Sequence, residues 1–554
     1  VIDPPVKDRR PSEPGAARAS MLLRRHCHIV PFVHQANGLA CMMERLERFG
    51  SFGLLHDMGC GKTLTVLGGF LAMHAEGRAE SMLVVCPSSV VSAWKKESLG
   101  ITARGGTEVD VLALDHPSVK RRKRDLEEWL ARRDLARRYG GEVLPGIVAL
   151  NYEGTWRMEA ELKAAGFDID VCDESQRLKA PGSNQSKAMH RIGKAASFVL
   201  QAYTGASMLT PFRPATAAPM RIIMTGTPVP EGGLDWYGQF RFLDDRVLGT
   251  NHTNFKREFA IEIDCGTFRK ITINPHTLPK LERLVMDRVH RVSKEEAVDL
   301  PEQTHARIEF ELEPKARRLY DELVRDSIAF VEGGGGLDFL SQAASMDMGD
   351  DSEILGDNVL TRMLRLQQIT GGFMQVDGRD TVEAIDPKKN AKLSCLTDLM
   401  ETLRDANAKL VIFHRFTHEG QAIIKAAERI SGKNTPVSYI NGQVKGSLRG
   451  NMIDQFQDGD AWFFVGQIQA CAEGITLHAA SDGAFYSSPF ASAVFQQALA
   501  RYHRIGQTRP VTHHHLLALN SIDETILDAQ VEKKEVADEI VDGGWQRFLL
   551  RRGR

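Results

Sequence analysis

No run of the 554-residue sequence approaches the ~18 apolar residues that a membrane span needs, and no basic-apolar-small secretory signal opens it. The expectation is an intracellular, cytoplasmic protein with no membrane partner. The eight cysteines (27, 41, 60, 86, 172, 265, 395 and 471) contain no C-x-x-C pair, so a zinc ribbon and a disulfide framework are both without support. They read as buried thiols in a reducing compartment. Excess charge is also missing. At a formal net charge of −2, any nucleic-acid partner must be held by a local cleft and not by a global basic field. The hydrophobic fraction of 42% is ordinary, and the length suggests roughly three to four compact units at about 150 residues each.

What is present begins with Phe52-Gly53-Leu54-Leu55-His56-Asp57-Met58-Gly59-Cys60-Gly61-Lys62-Thr63. An apolar run delivers a glycine-rich turn ending in Gly-Lys-Thr, where a helix from Leu64 to Met73 is predicted to begin. Gly59 and Gly61, flanking Cys60, let backbone N–H groups face the phosphates of a nucleotide, and the helix N-terminus adds its positive dipole end. Lys62 reaches the terminal phosphates in such a cradle, and Thr63 holds Mg²⁺. The strict phosphate-loop pattern fails at its first position, His56. Further along, the predicted strand Ile169 to Cys172 ends in Asp173-Glu174-Ser175-Gln176. Paired carboxylates at a buried strand tip are costly unless they serve a metal or a water. Asp173 would bind Mg²⁺ through its water shell, and Glu174 would deprotonate the water that attacks the γ-phosphate.

Apolar runs at 82–86, 146–150, 169–172 and 221–224, each closed by a polar or Gly/Pro turn, read as parallel strands with ligand residues at their C-terminal ends. A second series lies at 409–413, 461–465, 483–486 and 512–516. The fold class expected is α/β, in two lobes with parallel sheets. Residues 1–25 read as a disordered leader, in a chain that opens on Val1 with Met21 as an alternative start; 26–290 form lobe 1, 386–540 lobe 2 and 541–554 a tail. Between the lobes, 291–385 read as a helical insertion, with helical periodicity at 315–331 and 359–370 and an acidic loop around Gly333–Gly336 and Asp347–Asp351. The segment Tyr203–Pro219 reads as a loop excursion from lobe 1.

Leu83-Val84-Val85-Cys86-Pro87-Ser88-Ser89 with Trp94-Lys95-Lys96-Glu97, Asp173 to Lys179, Thr225-Gly226-Thr227-Pro228, and Gln497 through Arg501-Tyr502-His503-Arg504-Ile505-Gly506-Gln507 together resemble motifs Ia, II, III and VI of the SWI/SNF-like branch of superfamily 2 helicases. The resemblance covers roughly residues 30 to 530. It implies two RecA-like lobes around ATP and Mg²⁺, duplex DNA as partner, and translocation with weak or absent strand separation, in a compact motor similar to bacterial or phage members, including relatives of HARP-type annealing helicases. Gln35 matches the adenine-reading glutamine, and Arg501 and Arg504 match the two arginines that act on the γ-phosphate as arginine fingers. Gly474 keeps one glycine of motif V, whereas Cys471-Ala472 stand where a glycine pair is usual. Gln176 replaces the common motif II histidine and retains the capacity to donate and accept hydrogen bonds. Tyr486-Ser487-Ser488-Pro489 departs from the family's Asp-Trp-Asn-Pro-type turn.

Several other features have bland readings. The run Lys120-Arg121-Arg122-Lys123-Arg124 is interleaved downstream with acids and reads as a solvated helix before a DNA contact. His513-His514-His515 lies in a predicted strand, where neighbours face opposite sides, and cannot readily ligate one metal; His26-Cys27-His28 has no second ligand pair nearby. Alternatives to the translocase are a strand-separating helicase, the motor subunit of a restriction or defence complex, and an inactive nucleic-acid-binding scaffold. A wedge hairpin for the first is not evident. For the second, Glu161-Leu162-Lys163 has the E-x-K spelling of a nuclease but sits in a predicted helix. A scaffold has no need of Lys62, Thr63, Asp173, Glu174, Arg501 and Arg504 together. No histone-reading segment is evident, so nucleosome remodelling is not expected.

Overall fold

The computed structural model describes residues 15–194, 219–226, 228–229, 233–264, 269–297, 300–332, 359–374, 382–383, 389–433, 435–444, 446–471 and 475–531. The chain divides into two compact units, one spanning residues 1–263 and 271–299 and the other 264–270 and 300–554.

The strands of the first unit are β1 (Ser51–His56), β2 (Ser81–Cys86), β3 (Asp110–Leu114), β4 (Gly146–Asn151), β5 (Ile169–Asp173), β6 (Met220–Met224) and β9 (Val289–Val292), with a separate two-stranded sheet of β7 (Ala260–Asp264) and β8 (Arg269–Ile273). The main sheet runs β3-β4-β2-β5-β6-β1-β9 and is parallel throughout. Its central strand β2 is a nearly continuous apolar run because both faces are covered. In β2, Met82, Val84 and Cys86 enter one core cluster and Leu83 and Val85 the other. Helices α1 (Ala16–Cys27), α2 (Val33–Phe49), α3 (Lys62–Ala75) and α4 (Val91–Ala103) supply the first cluster, and α5 (Val119–Arg138) contributes to the second.

Helix α1 corrects the expectation of a disordered leader over 16–25. Ala16, Ala19 and Leu23 are spaced to form one stripe, and all three are buried. A Cβ on Gly68 of α3 would lie 2.3 Å from Leu23 Cδ2, and one on Gly69 would lie 1.7 Å from Met42 Cε. The two glycines weaken α3 as a helix but allow α1 and α2 to approach it closely.

In the second unit, β10 (Gln303–Phe310), β13 (Leu410–His414), β14 (Ser438–Ile440), β15 (Phe463–Gln467), β16 (Asp482–Phe485) and β17 (Val511–Ala518) form a parallel sheet in the order β10-β17-β16-β13-β15-β14. A small antiparallel pair, β11 (Phe373–Met374) and β12 (Val382–Glu383), stands apart. The expected helices within 291–385 are present as Pro314–Glu332 and Val359–Gly371. They do not form a separate insertion. Leu319, Leu323, Leu366 and Ile369 pack into the same cluster as Leu410 and Ile412 of β13, and β10 pairs with β17 over its whole length. The second unit thus begins near residue 300, and residues 289–292 belong to the first unit's sheet. The leader before 15, the segment 203–218, the loop at 333–351 and the tail 541–554 lie outside the described residues.

Among the described residues no helix is long and apolar enough to cross a membrane. Of the seven described cysteines, six are buried and Cys395 is half-buried.

Candidate active site

Strand order places the candidate residues side by side. In the sequence β5-β6-β1 of adjacent strands, Asp173 pairs in register with Met224, and Met224 with Leu54. The three C-terminal ends therefore present Asp173 and Glu174, Thr225 and Gly226, and the loop from Asp57 to Gly61 next to one another. This is the edge at which parallel α/β sheets bind ligands.

The phosphate loop takes its shape from two glycines with positive φ, Gly59 at 85° and Gly61 at 74°. His56 has no need to be glycine because it is the last residue of β1, paired with Val292. Its imidazole is buried against Gly38, where a Cβ would come within 3.0 Å, and shares a 2.9 Å hydrogen bond with His290. Burial, then the neighbouring His290, holds its pKa well below the ordinary value, so the ring is neutral. At the far end of the loop the His34 ring Nε2 donates to the Cys60 carbonyl at 2.9 Å. Gln35 packs against Gly61 so closely that a Cβ there would lie 2.1 Å from its amide nitrogen. The structure thus brings Gln35 to the cradle. Lys62 begins α3 and donates to the carbonyls of His56 at 2.8 Å and Asp57 at 3.3 Å. Thr63 follows in the first helical turn, half-buried.

Asp173 is buried and held on three sides. Trp94 Nε1 donates to its Oδ2 at 2.8 Å, the Glu174 backbone N–H to its Oδ1 at 3.0 Å, and the Tyr152 hydroxyl to its backbone carbonyl at 2.8 Å. Burial and the adjacent Glu174 push its carboxyl above the usual carboxylate range, while Trp94 and Lys62 pull the other way. Glu174 then leaves the strand in the left-handed region at φ 52°, a strained conformation of the kind that clusters at functional sites. Its Oε2 accepts from Gln176 Nε2 at 3.0 Å, and Gln176 Oε1 accepts from the Thr225 hydroxyl at 2.7 Å. A parallel link runs from the Ser175 hydroxyl to Gln239 at 2.7 Å and from Gln239 to the Pro228 carbonyl at 2.5 Å. Motif III also meets the phosphate loop, since a Cβ on Gly226 would lie 2.9 Å from Met58 Cγ.

These residues fit a magnesium nucleotide. A hydroxyl and a buried carboxylate are the hard oxygen donors that Mg²⁺ prefers, and two neighbouring carboxylates sharing one nearby lysine have charge to spare for a cation. The cradle's positive-φ glycines and helix N-terminus suit phosphate.

In the second unit, Arg501 and Arg504 share an anchor. Arg501 Nε donates to the Gln497 carbonyl at 2.9 Å, both guanidiniums reach the Ile475 carbonyl at 3.4 Å, and Arg504 donates to the Thr476 hydroxyl at 2.7 Å. Motif VI therefore stands on the end of motif V. Gly474 and Thr227 lie outside the described residues. The Tyr486–Pro489 turn faces inward at Ser487, whose hydroxyl donates to Glu419 at 2.5 Å. The basic run of α5 is largely neutralised by its neighbours: Arg121 pairs with Asp125, Lys123 with Glu161 and Arg124 with Glu128. His515 stacks on His305 and His513 packs against the same ring at a tilt, whereas His514 turns to Asp482. That split follows the strand alternation expected.

The SNF2-related domain family matches residues 34–202 and 212–371, more than half of the chain, and the helicase conserved C-terminal domain matches 391–506. The chain belongs to the SNF2-related family. Among curated relatives, this SNF2-related chain is 24% identical over 499 residues to YwqA of Bacillus subtilis, covering 89% of the chain and 47% of that protein. It is 23% identical over 524 residues to the DNA repair and recombination protein RAD54 of Saccharomyces cerevisiae, covering 89% and 54%. The chain thus spans about half the length of the curated relatives it matches. The SWI2/SNF2 ATPase core of Sulfolobus solfataricus in complex with dsDNA aligns over 96% of this chain and 99% of that one, at a TM-score of 0.39 and 21% identity.

Sequence reasoning placed Trp94 and Thr225 in motifs without assigning them partners. Their polar contacts cross 79 and 49 residues of chain, and spacing carries no signal for either.

Proposed function

We propose that this SNF2-related chain is an ATP-hydrolysing motor that binds duplex DNA and moves along it with little or no strand separation. The observation that supports it best is the grouping of Lys62, Asp173, Glu174 and the Gln176–Thr225 link at neighbouring strand ends. Lys62 and the loop N–H groups bind the phosphates, and Gln35 reads the adenine. Thr63 and Asp173 hold Mg²⁺, which when bound neutralises charge on the phosphate oxygens. Glu174 takes the proton of the attacking water. Gln176 keeps the Glu174 carboxylate oriented and connects it to motif III. Arg501 and Arg504 supply positive charge during phosphoryl transfer. Cycles of nucleotide binding and release then alter the grip on the DNA backbone and yield directional steps.

DNA as partner is supported by the family and by the relative's printed role in DNA repair and recombination. The test is ATPase activity of the purified chain with no nucleic acid, single-stranded DNA, duplex DNA, forked DNA and RNA. Stimulation by blunt duplex at least equal to that by forked DNA supports the translocase. Stimulation confined to single strands or forks favours a strand-separating helicase, and no hydrolysis under any condition favours a scaffold.

A further inference from the structure

Asp173 is nearly enclosed by protein, yet each of its oxygens accepts one hydrogen bond from a rigid donor: Oδ2 from the Trp94 indole and Oδ1 from the Glu174 backbone. An ionised carboxylate oxygen has two acceptor positions, so each retains one for a metal-bound water. The Trp94 donor is unusually well fixed. Its ring is buried in the core between α4 and the sheet, with Val84, Val91 and Ile101 in the same cluster, and an indole N–H can only donate. It cannot swing away, compete for the cation, or accept a proton.

We propose that Trp94 is a positioning residue for the magnesium-binding carboxylate: it fixes the rotation of the Asp173 side chain and satisfies the oxygen that faces the core, leaving the other positions for the cation's water shell. The inference rests on the nucleotide-site reading above. Partners that orient the groups holding a metal typically contribute about 10–100-fold in metal affinity or activity when removed. A plain core role for Trp94 would instead lower stability without touching the magnesium dependence.

The experiment is titration of the full chain with a non-hydrolysable ATP analogue, with Mg²⁺ and with EDTA, for the wild type and Trp94→Phe. The variant is expected to bind the analogue in EDTA as the wild type does, while the gain in affinity from Mg²⁺ shrinks by about tenfold or more. The Mg²⁺ concentration for half-maximal ATPase should rise by a similar factor. An unchanged Mg²⁺ gain in a folded Trp94→Phe protein overturns the proposal. A wild type whose nucleotide binding ignores Mg²⁺ overturns the nucleotide-site reading itself, and the proposal with it. Should Trp94→Phe fail to fold, the wild type and Asp173→Ala are compared with ¹⁵N-labelled indoles. One of the six tryptophan N–H signals should move upfield and exchange faster in the variant; six unmoved signals overturn the proposal.

Discussion

The side-chain amide of Gln176 donates to the Glu174 carboxylate at 3.0 Å. At its other end the same amide accepts from Thr225 at 2.7 Å, so the residue that replaces the motif II histidine ties the proposed base to the strand carrying motif III. Hydrogen bonds to charged groups contribute about 1.5–3 kcal/mol, and about 1.4 kcal/mol is tenfold in rate. Gln176→Ala should therefore lower turnover by roughly 10–100-fold with little change in nucleotide affinity. Steady-state ATPase and equilibrium binding check this, and a loss of affinity without loss of turnover contradicts it.

Lys62 and Glu174 should fail in different ways. Lys62→Ala would remove the proposed ground-state phosphate contact and should weaken ATP binding and turnover together. Glu174→Gln should leave ATP bound and hydrolysis down by about 10²–10⁴-fold. Near-normal turnover in Glu174→Gln would remove it as the base.

Replacing Arg501 or Arg504 with Ala should reduce DNA-stimulated hydrolysis by the ~10³-fold or more that an arginine finger contributes, with ATP affinity far less affected. Since Arg504 is held by Thr476 at 2.7 Å, Thr476→Val should give a smaller loss in the same direction. Normal turnover in both arginine variants would leave motif VI without the proposed role.

The central strands were legible because they are buried on both faces. Runs such as Met82–Cys86 and Leu410–Phe413 are apolar at every position, and only a covered parallel sheet needs that. The edge was harder. In β10 only Phe310 is buried, and its polar Thr304, Arg307 and Glu309 disguise a strand, so the second unit begins near residue 300, well before composition alone marks it. Helix α1 was hidden for a related reason: its buried residues are two small alanines with Leu23, His26 and Cys27, set among arginines, which resembles a polar leader in composition. The candidate site was legible wherever chemistry follows local spelling, as in Gly59 to Thr63 and Asp173-Glu174. What holds those groups, Trp94 on Asp173 and Thr225 on Gln176, depends on strand order and was not.

Glu419 gives the second unit a pH signature. Burial pushes its carboxyl up to about 7 against opposing contributions from Lys392 and its hydrogen bond to Ser487. The folded state thus binds a proton that the unfolded state releases above its ordinary value of 4.5. This group's contribution is fully favourable below that value and is lost as pH rises through about 7, a change on the order of 3 kcal/mol. Glu419→Gln should raise the melting temperature at pH 8 and flatten its fall between pH 5 and pH 8. An unchanged pH slope in the variant would contradict the assignment.

The most direct test of ATP-driven movement on intact duplex is displacement of a triplex-forming strand from linear double-stranded DNA. The account predicts that the wild type displaces the third strand when ATP and Mg²⁺ are supplied, that the underlying duplex stays paired, and that Glu174→Gln displaces nothing. A wild type that hydrolyses ATP on duplex DNA yet leaves the third strand in place, or that frees it only by separating the duplex, would contradict it.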